Sequence, residues 1–208
     1  TVYQSLGQLG FGGMTLPSEY GGAEMSYEDA CVAFEELAKS SVAYAVTLSV
    51  SSMVQSIINN FGSIAQKEKY LPALTSGQDI GAFALSESSA GSDASSLKTT
   101  AKKTDGGYIL NGSKCWISSA GVAKTYIVMA RTGGEGSKGV SAFIVEDGMK
   151  GFEYGKKEKK MGWRASPTRE LLFQNCFVPE ENLLKEEGFG FKVAMSALDA
   201  GRFTIGAI

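Results

Sequence analysis

Two stretches concentrate the side chains whose types and spacing could do chemistry. In the first, Ala82-Phe83-Ala84-Leu85 is a short apolar strand that opens into a loop carrying Ser86, Ser88, Ser89, Ser92 and Asp93. Hydroxyls and free backbone amides at the end of a buried strand can hold a polar heterocycle or a phosphate. A Ser-rich surface loop has the same signature, and at this level both readings stand. The second stretch, Gly112-Ser113-Lys114-Cys115-Trp116-Ile117-Ser118-Ser119, is another strand, with a Trp and a Ser two positions on. An indole there can flank a flat ligand or simply pack in a core or hairpin.

Other chemistries are excluded by what the sequence contains. Histidine is absent, which removes a Ser-His-Asp or Cys-His system and most zinc sites. Cys31, Cys115 and Cys176 have no ligand spacing and read as small side chains of a reducing compartment, so no metal is expected. Gly10-Phe11-Gly12-Gly13 lacks the third Gly of the dinucleotide fingerprint, Gly188-Phe189-Gly190 has Val193 in its place, and no Walker pattern occurs. A net charge of −2 argues against nucleic acid. The basic run Lys156-Lys157-Glu158-Lys159-Lys160 reads as a solvated loop. No apolar run approaches the ~18 residues of a membrane span, and no signal peptide is visible. The protein is expected to be soluble, cytoplasmic or the mature form of an organelle protein.

The elements that must position these stretches fall into three regions. Up to about Gly77 the pattern is helical. Ser26 and Asp29 form a capping pattern ahead of Ala30, Ala33, Phe34, Leu37 and Ala38 on one face. A second helix carries Val46, Val50, Met53, Val54, Ile57, Ile58 and Phe61, with Gly62 placed to end it. Ser63 and Gln66 cap a short third helix, limited by Pro72. From 78 to 185 the period becomes that of strands: 98–103, 108–110, 114–117, 125–130, 140–145 and 170–178, with hairpin turns expected at Asp105-Gly106-Gly107 and, most strongly, at Asn111-Gly112. That pattern predicts a sandwich or barrel. Beyond Glu186 a helical stripe of Phe191, Ala194, Met195, Leu198 and Ile205 runs to Ile208 without a stop signal, so the sequence reads as a fragment.

Further motifs occur in a recognisable order: Pro17-Ser18-Glu19-Tyr20-Gly21-Gly22, Tyr70-Leu71-Pro72, Ser76-Gly77, the two stretches above, Lys160-Met161-Gly162-Trp163-Arg164, Phe173-Gln174-Asn175-Cys176-Phe177-Val178-Pro179 and Gly188-Phe189-Gly190-Phe191. Over essentially its whole length the chain resembles the acyl-CoA dehydrogenase family. The resemblance implies an α+β multidomain fold: a helical domain over 1–80, shortened; a middle antiparallel β-barrel over 81–185 that binds flavin; and over 186–208 the first helix of a C-terminal helical domain.

It also implies FAD as cofactor and an acyl-CoA thioester as substrate, with α,β-dehydrogenation and hydride transfer to the flavin. Phe83, Ala84, Leu85 and Ser86 match the first flavin segment, with Leu85 and Ser86 at the pyrimidine edge. Trp116, Ile117 and Ser118 match the second, the indole flanking the ring. Ser92 matches a position serving both cofactor and the CoA arm, and Asp199 to Arg202 match a substrate segment, the alternative for Arg202 being a structural ion-pair partner. No catalytic residue is assigned. The family's base is usually a Glu of the C-terminal domain, beyond residue 208; the minority position is Gly201, which cannot be a base, and Glu87 is not at the base position. Ser86-Glu87-Ser88 replaces the usual Thr-Glu-Pro, and loss of the proline is expected to loosen the loop. An electron-transfer flavoprotein and a homotetramer are the implied partners, and the mitochondrial matrix or the bacterial cytoplasm the implied location. An oxidase or monooxygenase on the same fold, or a non-catalytic flavin- or acyl-CoA-binding remnant, is the alternative.

Overall fold

The structure, a computed structural model, describes residues 1–208. It divides into two compact units: Thr1–Gly81 with Lys159–Ser166 and Ser196–Ile208, and Ala82–Glu158 with Pro167–Met195.

The first unit is helical. α1 (Val2–Gln8) starts on a Thr1–Gln4 capping box. α2 (Tyr27–Phe61) starts where Ser26 Oγ accepts from the Asp29 amide, and α3 (Ile64–Thr75) where Ser63 and Gln66 complete a reciprocal box. These caps satisfy amides that the first turn leaves unpaired. α2 is two helices joined at Ser41, whose φ of −162° and ψ of 104° are extended. By length and mean hydropathy α2 is long and apolar enough to cross a bilayer, contrary to the sequence reading. Its apolar residues nonetheless supply the unit's core, with Ala30, Phe34, Ala45 and Leu48 packed with Tyr3 and Met14. Gln55, fully buried, donates to the Gly12 carbonyl at 2.7 Å.

Two terminators behave differently from expectation. Gly62 has φ −72°, so it is not a left-handed cap; a Cβ there would meet the Ile58 carbonyl at 2.5 Å, and close approach is what demands glycine. Pro72 does not limit α3, which continues to Thr75 and closes through Ser76 N–H on the Pro72 carbonyl.

The second unit is a sheet of β1 (Gly81–Ala84), β2 (Thr100–Thr104), β3 (Gly107–Ser118), β4 (Thr125–Arg131), β5 (Val140–Glu146), β6 (Phe152–Lys157), β7 (Thr168–Pro179) and β8 (Leu183–Leu184). Its order is β6-β7-β3-β2-β4-β5-β8, with β1 on β4. Most pairs are antiparallel, but β2 meets β4 in parallel at Thr100 and Arg131. The expected closed barrel is an open sheet, because β6 and β8 end the path without pairing to each other. β4 and β5 are buried along almost their full length and form the core with Tyr126, Phe143 and Phe152. Phe152 stacks on Phe173 at 5.1 Å and meets Tyr126 edge-on at 5.0 Å. Asp105-Gly106-Gly107 is the β2–β3 turn, with Gly106 at φ 71°.

Asn111-Gly112 is not a turn. β3 runs straight through it as a bulge against β7, and the Asn175 amide donates to Asn111 Oδ1 at 2.9 Å. The side-chain bond supplies what the interrupted ladder loses. α4 (Gly190–Ala207) closes the chain. Residues 156–159 of the basic run are exposed, but the run is not wholly a loop: Lys156 and Lys157 end β6, and Lys160 is half-buried.

Candidate functional site

In the second unit the 85–90 loop and the C-terminal end of β3 come together. The Cys115 amide donates to the Ser86 carbonyl at 2.9 Å, so Ser86 lies beside the strand segment that ends in Trp116, Ile117 and Ser118. Glu87 and Ala90 exchange both backbone hydrogen bonds, at 3.0 and 3.1 Å, which makes Glu87-Ser88-Ser89-Ala90 a tight turn.

A charge pair that sequence reasoning missed fastens this loop. Lys114, fully buried, reaches Glu87 Oε1 at 2.7 Å and the Leu85 carbonyl at 3.0 Å. Glu87, also buried, accepts from the Lys98 amide at 2.6 Å and the Thr99 amide at 3.0 Å. Burial pushes the Glu87 carboxyl up, but the Lys114 ammonium and the hydrogen bonds outweigh it and hold the group below its ordinary value. For Lys114 burial wins, and its pKa falls to about 8. Lys114 and the Lys98 and Thr99 amides thus tie the loop down at Glu87, one residue before Ser88. The sequence held one signal: Lys114 falls in phase with Tyr108 and Leu110, which are also buried.

β3 is irregular where it meets this loop. Its register against β7 shifts between Lys114 and Ile117, and Trp116 (φ 59°) and Ser119 (φ 65°) are left-handed. A bulky residue in that region stores on the order of 1–3 kcal/mol, and a bulge re-aims the side chain it carries. The outcome is a tryptophan 64% exposed, on a strand whose next residue, Ile117, is buried.

The expected flavin-segment residues divide by what they offer. Ala84, Leu85 and Ile117 are buried and can offer a ligand only backbone groups, and the Leu85 carbonyl is already taken by Lys114. Phe83, Ser86 and Ser118 are half-buried, and Ser92 is exposed. The Ser86 N–H and hydroxyl enter no hydrogen bond inside the protein. Ser119 Oγ and Arg169 Nε are buried without a partner, and Arg169 lies opposite Ile117 in the ladder. Buried polar atoms are rarely left unpaired. An exposed flat aromatic beside unpaired N–H and O–H groups fits a planar heterocycle with a polar edge.

Arg131, also missed, organises the loops beyond Ser92. Its guanidinium donates to the carbonyls of Ser95 (2.7 Å), Leu97 (3.0 Å), Gly134 and Gly136 (3.1 Å), and it enters no salt bridge. A cleft of about 550 Å³ beside it is lined by Asp93, Ser95, Lys98 and Glu135 among others. In the first unit, Asp199 and Arg202 are 3.8 Å apart with side chains 73% and 80% exposed, a weak pair. No cluster of potential metal ligands is present.

Comparison with known proteins bears on the family and the fold. Residues 1–78 match the profile of the acyl-CoA dehydrogenase N-terminal domain and residues 82–176 that of the acyl-CoA dehydrogenase middle domain. Isovaleryl-CoA dehydrogenase from Arabidopsis thaliana is 46% identical over 99% of this chain and 51% of its own length. The structure of butyryl-CoA dehydrogenase from Megasphaera elsdenii superposes with a TM-score of 0.95 at 46% identity, over 99% of this chain and 55% of that one. An acyl-CoA dehydrogenase from Bacillus anthracis complexed with FAD does so with a TM-score of 0.92 at 38% identity, over 99% and 35%. The chain spans about half the length of the curated relatives it matches. Sequence and fold agree: the chain belongs to the acyl-CoA dehydrogenase family, and carries its N-terminal and middle domains.

Proposed function

We propose that the protein is an FAD-dependent acyl-CoA dehydrogenase that forms the α,β double bond of a short or short branched acyl-CoA thioester. The observation that carries this reading is the Trp116 bulge, which puts an exposed tryptophan on the strand segment hydrogen-bonded to the Ser86 loop, whose own N–H and hydroxyl are unpaired. The relative solved with FAD supports the choice of heterocycle. When bound, FAD supplies a hydride acceptor for the substrate β carbon.

The chain's own residues bind and orient. Ser86 offers N–H and hydroxyl to the pyrimidine edge, Ser118 adds a second hydroxyl, and Trp116 shields the ring from water. Donors aimed there favour the reduced cofactor, because charge develops on that edge. Ser92 takes the CoA arm; the cleft beside Arg131 is lined from the next residue, Asp93. Asp199 and Arg202 belong to the substrate segment.

No residue between 1 and 208 acts as base in this reading. Glu87 is excluded because its carboxylate is consumed by Lys114 and by the Lys98 and Thr99 amides, and Gly201 has no side chain. The base is assigned to a Glu of the C-terminal domain. Electrons then pass to an electron-transfer flavoprotein, and the working assembly is a homotetramer. The named relatives include a mitochondrial enzyme and bacterial ones, which supports either compartment.

Anaerobic titration of the FAD-loaded intact protein with butyryl-CoA tests the reading. Bleaching of the visible flavin band is expected; bound flavin that no acyl-CoA bleaches would overturn it.

A further inference from the structure

We propose that Lys114 is a positioning residue for the cofactor: its buried ammonium holds the Leu85–Ser86 peptide and polarises the Ser86 N–H toward the flavin. The inference rests on the flavin reading above.

A fully buried lysine is rare and costly, and an apolar pair of similar volume would commonly serve stability as well or better. Lys114 is spent on one peptide group. Its Nζ lies 3.0 Å from the Leu85 carbonyl and 2.7 Å from Glu87 Oε1. A trans peptide directs its N–H away from its C=O, and no peptide bond here is cis. With the ammonium on the oxygen, the Ser86 N–H therefore faces the opposite side, where it finds no partner within the protein. Pulling electron density toward the oxygen strengthens the N–H as a donor, since chained hydrogen bonds polarise one another.

The neighbouring bonds keep this peptide in place. The Ser86 carbonyl is held by the Cys115 amide, and Glu87 is tied to Lys98 and Thr99. Of the two charges only the ammonium touches the peptide, so the pair presents its positive end to the cofactor's edge. A donor strengthened in this way binds the reduced, electron-rich flavin better than the oxidised one.

The experiment compares three forms of the intact protein loaded with FAD: wild type, the charge-free pair Lys114→Met/Glu87→Gln, and Ala90→Gly. The double variant removes both charges while keeping an amide oxygen for the Lys98 and Thr99 N–H groups. Ala90→Gly loosens the Glu87–Ala90 turn and leaves the charges intact. FAD affinity in both redox states and the midpoint potential are measured.

The double variant is expected to bind reduced flavin about tenfold more weakly relative to oxidised flavin, a fall of about 30 mV for a two-electron couple. Ala90→Gly is expected to weaken both redox forms alike and leave the potential where it was. An unchanged potential in the double variant would overturn the inference. So would an equal fall in Ala90→Gly, because Lys114 would then act only by stiffening the loop. If wild type takes up no FAD, the flavin reading fails first, and the two failures are thus told apart.

Discussion

Truncating Glu87 to alanine strands the Lys114 ammonium, and the consequence follows from the geometry. The carboxylate lost is 2.7 Å from a lysine with no exposed surface. Breaking one side of a buried pair costs about 3–5 kcal/mol. The cost has a ceiling, because the stranded amine can shed its proton. From an ordinary lysine value of 10.5, doing so at pH 7 takes about 5 kcal/mol at 1.36 kcal/mol per unit.

The pH dependence follows with its sign. Folded Glu87→Ala with a neutral Lys114 binds one proton fewer than its unfolded chain, so its stability rises with pH. In the wild type Lys114 stays charged up to about 8, and its stability gains nothing from this group below that point. The deficit of the variant therefore narrows by roughly 1.4 kcal/mol between pH 7 and 8, then stays constant, since above 8 both proteins gain alike. Urea unfolding at pH 6, 7, 8 and 9 measures it, and in heat the loss corresponds to roughly 6–20 °C for a chain of this size. A deficit under 1 kcal/mol at pH 7, or one that ignores pH between 6 and 8, would refute the buried charge pair.

Three further outcomes are expected. Trp116→Gly relieves the left-handed backbone at φ 59°, so stability without cofactor stays within about 1 kcal/mol of wild type, while FAD titration shows affinity falling roughly tenfold with the lost ring contact. Gly22→Ala places a Cβ 2.0 Å from the Leu16 carbonyl, whereas Gly91→Ala meets open space. Thermal melts should show the first losing several kcal/mol and the second staying within about 0.5. Glu87 and Asp147 have carboxyls held below their ordinary values, against the upward push of burial, by Lys114 in one case and by Lys124 and Tyr154 in the other. Each contributes stability that is present above the unfolded value and lost as pH falls through the folded one. Urea midpoints taken from pH 6 downward should drop below about pH 4.5, less steeply in Glu87→Gln.

How much was legible depended on how local each cause was. The Ser26–Asp29 and Ser63–Gln66 caps act over three residues, so the sequence alone places both helix starts. The Asp105-Gly106-Gly107 turn is equally local. Asn111-Gly112 carries the same short-range signal, but a side chain 64 positions away decides the outcome, because Asn175 converts the turn candidate into a bulge. β6 and β8 leave no readable strand pattern, since β6 alternates only over Phe152 and Tyr154 and β8 is just Leu183 and Leu184. Of the site, the two segments were legible only through their resemblance to a family. The physics that makes them a site was not: residue type gives no sign that Trp116 is left-handed, and Lys114 meets Glu87 across 27 positions. Lys114 in phase with Tyr108 and Leu110 was the one readable clue.

The most direct test is a visible spectrum of the intact protein after incubation with FAD and removal of the free cofactor, for wild type and Trp116→Gly side by side. Wild type should retain flavin with a shifted visible band, and the variant should lose most of it. A protein that keeps no flavin, or a variant that keeps as much as wild type, would contradict a cofactor site built on the Trp116 bulge and the Ser86 loop.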